Sequence, residues 1–160
     1  MIESGKLKTL GQTALLRAFG FWKIPVLSYV SPSVVELSPD VCKIKIPLNR
    51  KTKNHLNSMY FAVLAAGADS AAGLLAMQTL LKMGKTKGLA FKAMKANFYK
   101  RAEGDTIFVC KQGPEILKAL EVAKATKERQ NLDVKVHAFV PDKLGDEVVA
   151  DFVMTLSLKV

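Results

Sequence analysis

The chain of 160 residues has only two cysteines, Cys42 and Cys110, and two histidines, His55 and His137. Each cysteine sits inside an apolar, strand-like run, far from the other in sequence. That placement fits buried free thiols in a reducing compartment and argues against a disulfide framework, a thiol nucleophile or a metal motif. His137 alternates with Val136 and Ala138 and has no His, Cys or acid near it at metal-ligand spacing, so no metal is expected. Glycine-rich phosphate loops, dinucleotide fingerprints, helix-turn-helix, zinc-finger and ribonucleoprotein signatures are also missing. Their absence disfavours nucleotide hydrolysis, redox cofactors and nucleic acid, and no cofactor is expected. No charged-then-apolar leader opens the sequence. The one long apolar stretch, Met59 to Met77, contains Asp69 and many small residues, which argues against a membrane span and for the cytoplasm.

Roughly half of the residues are apolar, which suffices for one hydrophobic core, so one domain over 1–160 is expected. The net charge of +10 favours an anionic partner: nucleic acid, an anionic membrane surface or a phosphate-rich metabolite. Charge is unevenly spread, because Ser70 to Ala102 holds seven bases and no acid.

Period changes divide the chain. Leu7, Leu10, Ala14, Leu15, Ala18 and Phe19 recur at helical spacing and predict an N-terminal helical extension over about 6–21, with Pro25 as its exit. A short strand over Ser33–Leu37, the turn Ser38-Pro39-Asp40 and the alternating run Cys42, Ile44, Ile46, Leu48 predict a hairpin. A long helix is expected over about 58–83, capped by Asn57 or Ser58 and stopped at Gly84. Ala90–Tyr99, Thr106–Cys110, Leu132–Val140 and Val148–Leu158 read as strands, with a helix over Pro114–Arg129 between them. The fold class is therefore α+β, with about six antiparallel strands around one long helix.

Along that helix Ala62, Ala65, Ala66, Asp69, Gly73 and Ala76 form a small-residue stripe that contains one acid. A carboxylate in a close-packed stripe must be paired, hydrogen-bonded or functional.

The order of hairpin, asparagine-bearing turn, small-residue helix and long strands resembles the hotdog fold, a curved antiparallel sheet wrapped around a central helix. Asn54 to Asp69 resembles the matching segment of the phenylacetate-pathway-type acyl-CoA thioesterases, where a turn residue precedes the helix and an acid follows within it. Where that family carries His-Gly-Gly, this chain has Tyr60-Phe61-Ala62, and the helix at 114–129 is an addition. The resemblance implies a thioester hydrolase acting on acyl-CoA. Asp69 would be base or nucleophile, Asn54 would orient water or carbonyl, and the helix-start amides of Tyr60 and Phe61 would hold the oxyanion, with Ser70 or Thr79 as a secondary hydroxyl. Asp69 lies roughly 13–15 Å along the axis from those amides, so the two halves must come from different subunits of a homodimer or dimer of dimers. Lys82, Lys85, Lys87, Lys95, Lys100 and Arg101 are the candidates for the coenzyme A phosphates. The alternative is a non-catalytic acyl-CoA, acyl-carrier or lipid-binding module of the same fold, in which Asp69 is structural. A purely structural or regulatory oligomer would need neither groove nor phosphate site.

Overall fold

The structure, a computed structural model, describes residues 2–85 and 88–160. Helices α1 (Ile2–Lys23) and α2 (Pro25–Val30) precede the hairpin β1 (Ser33–Leu37) and β2 (Cys42–Ile46), and the long helix α3 spans Phe61–Lys82. Then come β3 (Leu89–Phe98), β4 (Thr106–Cys110), α4 (Gly113–Thr126), β5 (Gln130–Phe139), the single turn α5 (Pro141–Leu144) and β6 (Val148–Leu158). All six strands form one antiparallel sheet in the order β1-β2-β4-β5-β6-β3. It curves around α3 in the expected hotdog arrangement.

The alternation that marks the strands also decides their inner face. Cys42, Ile44, Ile46, Phe108, Cys110, Val134, Val136, Phe152, Met154 and Leu156 are buried in one core with Ala68, Ala71, Ala72 and Leu75 of α3. Gly67 makes the close approach: a Cβ there would stand 2.3 Å from two ring atoms of Phe108. This contact lies on the face of α3 roughly opposite the stripe that carries Asp69, because two residues turn an α-helix by about 200°. Helix α4 adds Ile116, Leu120 and Ala123 to the buried residues.

Helix α3 begins later than its sequence suggests. Asn57 is left-handed at φ 59°, and Met59 bridges back to Lys53, so neither Asn57 nor Ser58 caps the helix. Tyr60 occupies the N-cap and offers no side-chain bond. The stop is as expected: Gly84, at φ 72°, lets its N–H reach the Leu81 carbonyl and that of Lys85 reach Leu80 (both 3.0 Å). Pro25 starts α2 as well as ending α1, because proline's fixed φ suits a first helical turn.

The sheet's two edges differ. Helix α1 covers the β1 side, where the Val34 N–H donates to Thr13 Oγ1 at 2.9 Å. Strand β3 pairs with β6 alone and has no buried residue along its ten positions.

Candidate functional site

The turn before α3 is held by its own side chains. Asn54 Oδ1 accepts the N–H groups of Leu56 (2.9 Å) and Ser58 (3.2 Å), and Asn54 Nδ2 donates to Ser58 Oγ (3.1 Å). Thr52 Oγ1 donates to the Pro47 carbonyl at 2.6 Å, while the Thr52 carbonyl receives the Tyr60 N–H at 2.8 Å. The Met59 N–H donates to the Ala102 carbonyl at 2.8 Å and so fastens this turn to the chain leaving β3.

That link creates a groove of about 450 Å³ at the N-terminus of α3, floored by Met59 and Leu64 and bordered by Asn54, His55, Lys100 and Arg101. Its wall is a series of edge-to-face aromatic contacts: Tyr60 to Phe61 at 5.0 Å, Phe61 to Phe98 at 6.5 Å, and Phe98 to the buried Phe152 at 5.9 Å. Tyr60, Phe61, Phe98 and Tyr99 remain about half exposed. Lys100 pairs with Glu147 at 2.5 Å, and Arg101 sits 3.9 Å from Glu103 on the exposed rim. The Tyr99 hydroxyl donates to Asp151 at 2.6 Å. That bond raises the tyrosine's pKa and lowers the aspartate's.

The helix start offers different amides from those expected. The Tyr60 N–H is already bonded to Thr52, whereas those of Phe61 and Ala62 have no protein acceptor among the described residues. These are the orphan donors of a helix N-terminus, aligned with its dipole. Asn54 spends its amide on the turn, so it fixes the loop rather than presenting a free hydrogen-bonding group.

Asp69 stands eight residues beyond Phe61, about 12 Å along the axis, and lies outside the groove of its own chain. The stripe around it is a boundary rather than a sealed contact. Ala72 and Ala76 on one side are buried, while Ala66, Gly73 and Met77 on the other are half covered. One turn onward, a Cβ on Gly73 would sit 3.7 Å from Phe91 of β3, so this boundary runs beside the unpaired sheet edge. The Asp69 carboxylate has no hydrogen-bond or ion-pair partner among the described residues, and burial raises its pKa above the ordinary carboxylate value. Ser70 and Thr79, the candidate secondary hydroxyls, donate back to Ala66 (2.7 Å) and Leu75 (3.3 Å) within the helix.

The candidate phosphate-binding bases do not form one rim. Lys82 and Lys85 lie at the far end of α3, Lys95 lies midway along β3, and only Lys100 and Arg101 reach the groove. Ten residues of strand span about 33 Å, which separates the two ends of the acid-free segment. Lys87 lies outside the described residues. His137 is exposed on the outer sheet face beside a second hollow, of about 530 Å³, that α3 does not reach. No cluster of three metal-ligating side chains occurs among the described residues. The aromatic wall could have been anticipated: the doublet Tyr60-Phe61 opens α3, the doublet Phe98-Tyr99 ends β3, and the second directly precedes Lys100-Arg101.

The family profile described as a domain of unknown function, DUF4442, matches residues 11–158. The chain belongs to the DUF4442 family. No curated protein matches the sequence. Among solved structures, a protein of unknown function from Chlorobaculum tepidum shares 10% identity at a TM-score of 0.79, over 95% of this chain and 97% of that one. A protein of unknown function from Pseudomonas aeruginosa, described as a probable thioesterase, shares 22% identity at TM-score 0.72 over 92% and 95%. A thioesterase family protein from Silicibacter pomeroyi shares 16% identity at TM-score 0.62 over 92% and 98%. At these identities the likeness establishes the hotdog fold of this DUF4442 member.

Proposed function

We propose that this protein is an acyl-CoA thioester hydrolase whose site is completed across a homodimer formed along β3. The observation that carries the reading is the partly buried Asp69 carboxylate, without a partner among the described residues, beside the exposed edge strand β3. An unpaired acid at such a boundary costs stability, and a dimer interface is where that cost gains a use. The description of structurally similar proteins as thioesterases supports the same chemistry.

In this reading the acyl-CoA lies in the groove at the α3 N-terminus. The aromatic wall of Tyr60, Phe61 and Phe98 takes the apolar part, and Lys100 and Arg101 face the phosphates. Asp69 of the facing subunit removes a proton from water as the water oxygen bonds to the thioester carbon. The carbonyl oxygen takes the negative charge and is met by the Phe61 and Ala62 amides and the helix dipole. Collapse of the adduct breaks the carbon–sulfur bond, giving the carboxylic acid and the coenzyme A thiol. Burial raises the carboxyl pKa, which makes Asp69 a stronger base. Asn54 acts through the turn as a positioning residue.

The test is thiol release from a series of acyl-CoA chain lengths by wild type and Asp69→Asn, compared at equal folded fraction. The proposal expects kcat/KM to fall by at least about 100-fold, the scale of lost general-base help. Turnover unchanged in Asp69→Asn would exclude Asp69 as the base. Tight acyl-CoA binding with no release at any chain length would favour the non-catalytic module. Light scattering at micromolar concentration should give a dimer or a multiple of it, and a monomer would remove the shared site.

A further inference from the structure

Helix α1 is turned inside out relative to a normal surface helix. Thr9, Gln12, Thr13, Leu16 and Gly20 face the protein, and Thr13 holds the β1 backbone. At 100° per residue, from Leu7 to Trp22 the opposite arc contains Leu7, Leu10, Ala14, Leu15, Ala18, Phe21 and Trp22, with no polar position of that segment among them. Leu7, Leu15 and Trp22 are 70%, 73% and 79% exposed, and Val26 and Tyr29 of α2 continue the patch. A contiguous apolar face of this kind on a folded protein marks a docking surface.

Charge identifies the occupant. No acid occurs from residue 4 to 35, nor from 41 to 68. Lys8 and Arg17 flank the apolar arc, Lys23 follows it, and none of the three has a carboxylate partner among the described residues. Arg17 is pinned at this border by the Pro32 carbonyl (3.0 Å) and Ser33 Oγ (2.9 Å). The basic turn Arg50-Lys51-Thr52-Lys53 reaches the same region, with Lys51 Nζ 5.4 Å from the Tyr29 ring centroid. A second copy docking here would oppose two basic rims. A dimer formed through β3 would leave the face open, because β1 and β3 are opposite edges of a six-stranded sheet about 24 Å across.

We infer that α1 and α2 dock the protein on an anionic lipid bilayer, lying in the interface rather than spanning it. The leucines and Phe21 enter the acyl boundary, Trp22 and Tyr29 sit at headgroup depth, and Lys8, Arg17, Lys23 and the 50–53 turn meet the anionic headgroups. The inference is independent of Asp69 and of the proposed hydrolysis.

Trp22 is the only tryptophan, so its emission reports on this face alone. The full-length protein is mixed with vesicles of phosphatidylcholine, or of phosphatidylcholine with about 30% phosphatidylglycerol, and followed by fluorescence and co-flotation. The expected result is a blue shift and flotation with anionic vesicles, both weakened by salt. Leu10→Ser with Leu15→Ser, two exposed positions, should lower partitioning by at least about tenfold while circular dichroism stays unchanged. Lys8→Gln with Lys23→Gln should reduce the preference for anionic lipid and leave the fold intact. Absence of a shift with either vesicle, or equal binding to both, overturns the inference. Emission already blue without lipid, together with a mass above that of the β3 dimer, overturns it in favour of a second copy.

Discussion

Replacing Gly67 by alanine tests how α3 is seated on the sheet. Alanine is the better helix former by about 1 kcal/mol, so without tertiary contacts the substitution would stabilise the protein. The added methyl, however, would stand 2.3 Å from two Phe108 ring atoms, where ordinary contact begins at 3.4 Å. Phe108 is wholly buried and sits in register between Ile44 and Ala138, so the ring must move by about 1 Å against packed neighbours or α3 must lift. Overpacking of this kind costs about 1–3 kcal/mol, and a contact with two atoms of a confined ring belongs at the upper end. Net of the helix gain, Gly67→Ala should lose about 2 kcal/mol, lowering Tm by about 4–8 °C for a chain of this size. Gly73→Ala, in the same helix, meets only an ordinary 3.7 Å contact with Phe91 and should gain about 0.5–1 kcal/mol. Urea unfolding at one protein concentration reads both, through midpoints at constant slope. If Gly67→Ala is as stable as wild type or more so, the close approach does not govern the packing. Phe108→Leu should relieve part of the clash, giving a coupling of about 1 kcal/mol in the double-mutant cycle.

Three other outcomes follow from the site. Because burial raises the Asp69 pKa, the folded state binds more protons than the unfolded chain as pH rises from about 4, so stability falls across that window and levels off above the folded pKa. Asp69→Asn should therefore stabilise the protein at pH 7 and make little difference at pH 3, as measured by denaturant midpoints. Cys42 and Cys110 are register partners across β2 and β4, wholly buried, and desolvation raises both thiol pKa values; neither should react with an aromatic disulfide reagent until denaturant is added. Arg101→Gln should weaken coenzyme A binding about threefold at low salt and much less at high salt, as expected of an exposed ionic contact read by calorimetry.

Periodicity made the regular elements legible. The run Cys42 to Ile46 alternates cleanly, and β1, β2, β4 and β6 fall on the residues that such patterns mark. Helix α3 was found but started three residues early, because Asn57 and Ser58 look like caps while their bonds serve the Asn54 turn. Helix α5, a single turn, carries no period to detect. Asp69 stands out as the one acid in an alanine-rich helix, and its carboxylate has no partner among the described residues. The basic run from Lys82 to Arg101 misled in a different way: adjacency in sequence said nothing about the extended strand that carries its ends apart. Likewise, the sequence separation of Cys42 and Cys110 concealed their pairing, which depends on strand order.

The position of β3 in the chain also shapes how the molecule is made. It emerges before β4, α4 and β5, yet its partner is β6: Phe98 pairs with Ala150, about fifty residues later. At about 5–20 residues per second, the ribosome leaves that strand without a partner for several seconds. During that interval Phe91, Met94 and Phe98 are displayed on an extended segment with two open edges, a geometry that invites pairing with another nascent chain. Lys92 and Lys95, interleaved among those apolar residues, supply the charge that discourages such encounters. Truncation before β6 would make the interval permanent, and the shortened chain should aggregate through β3 rather than survive as a smaller fold.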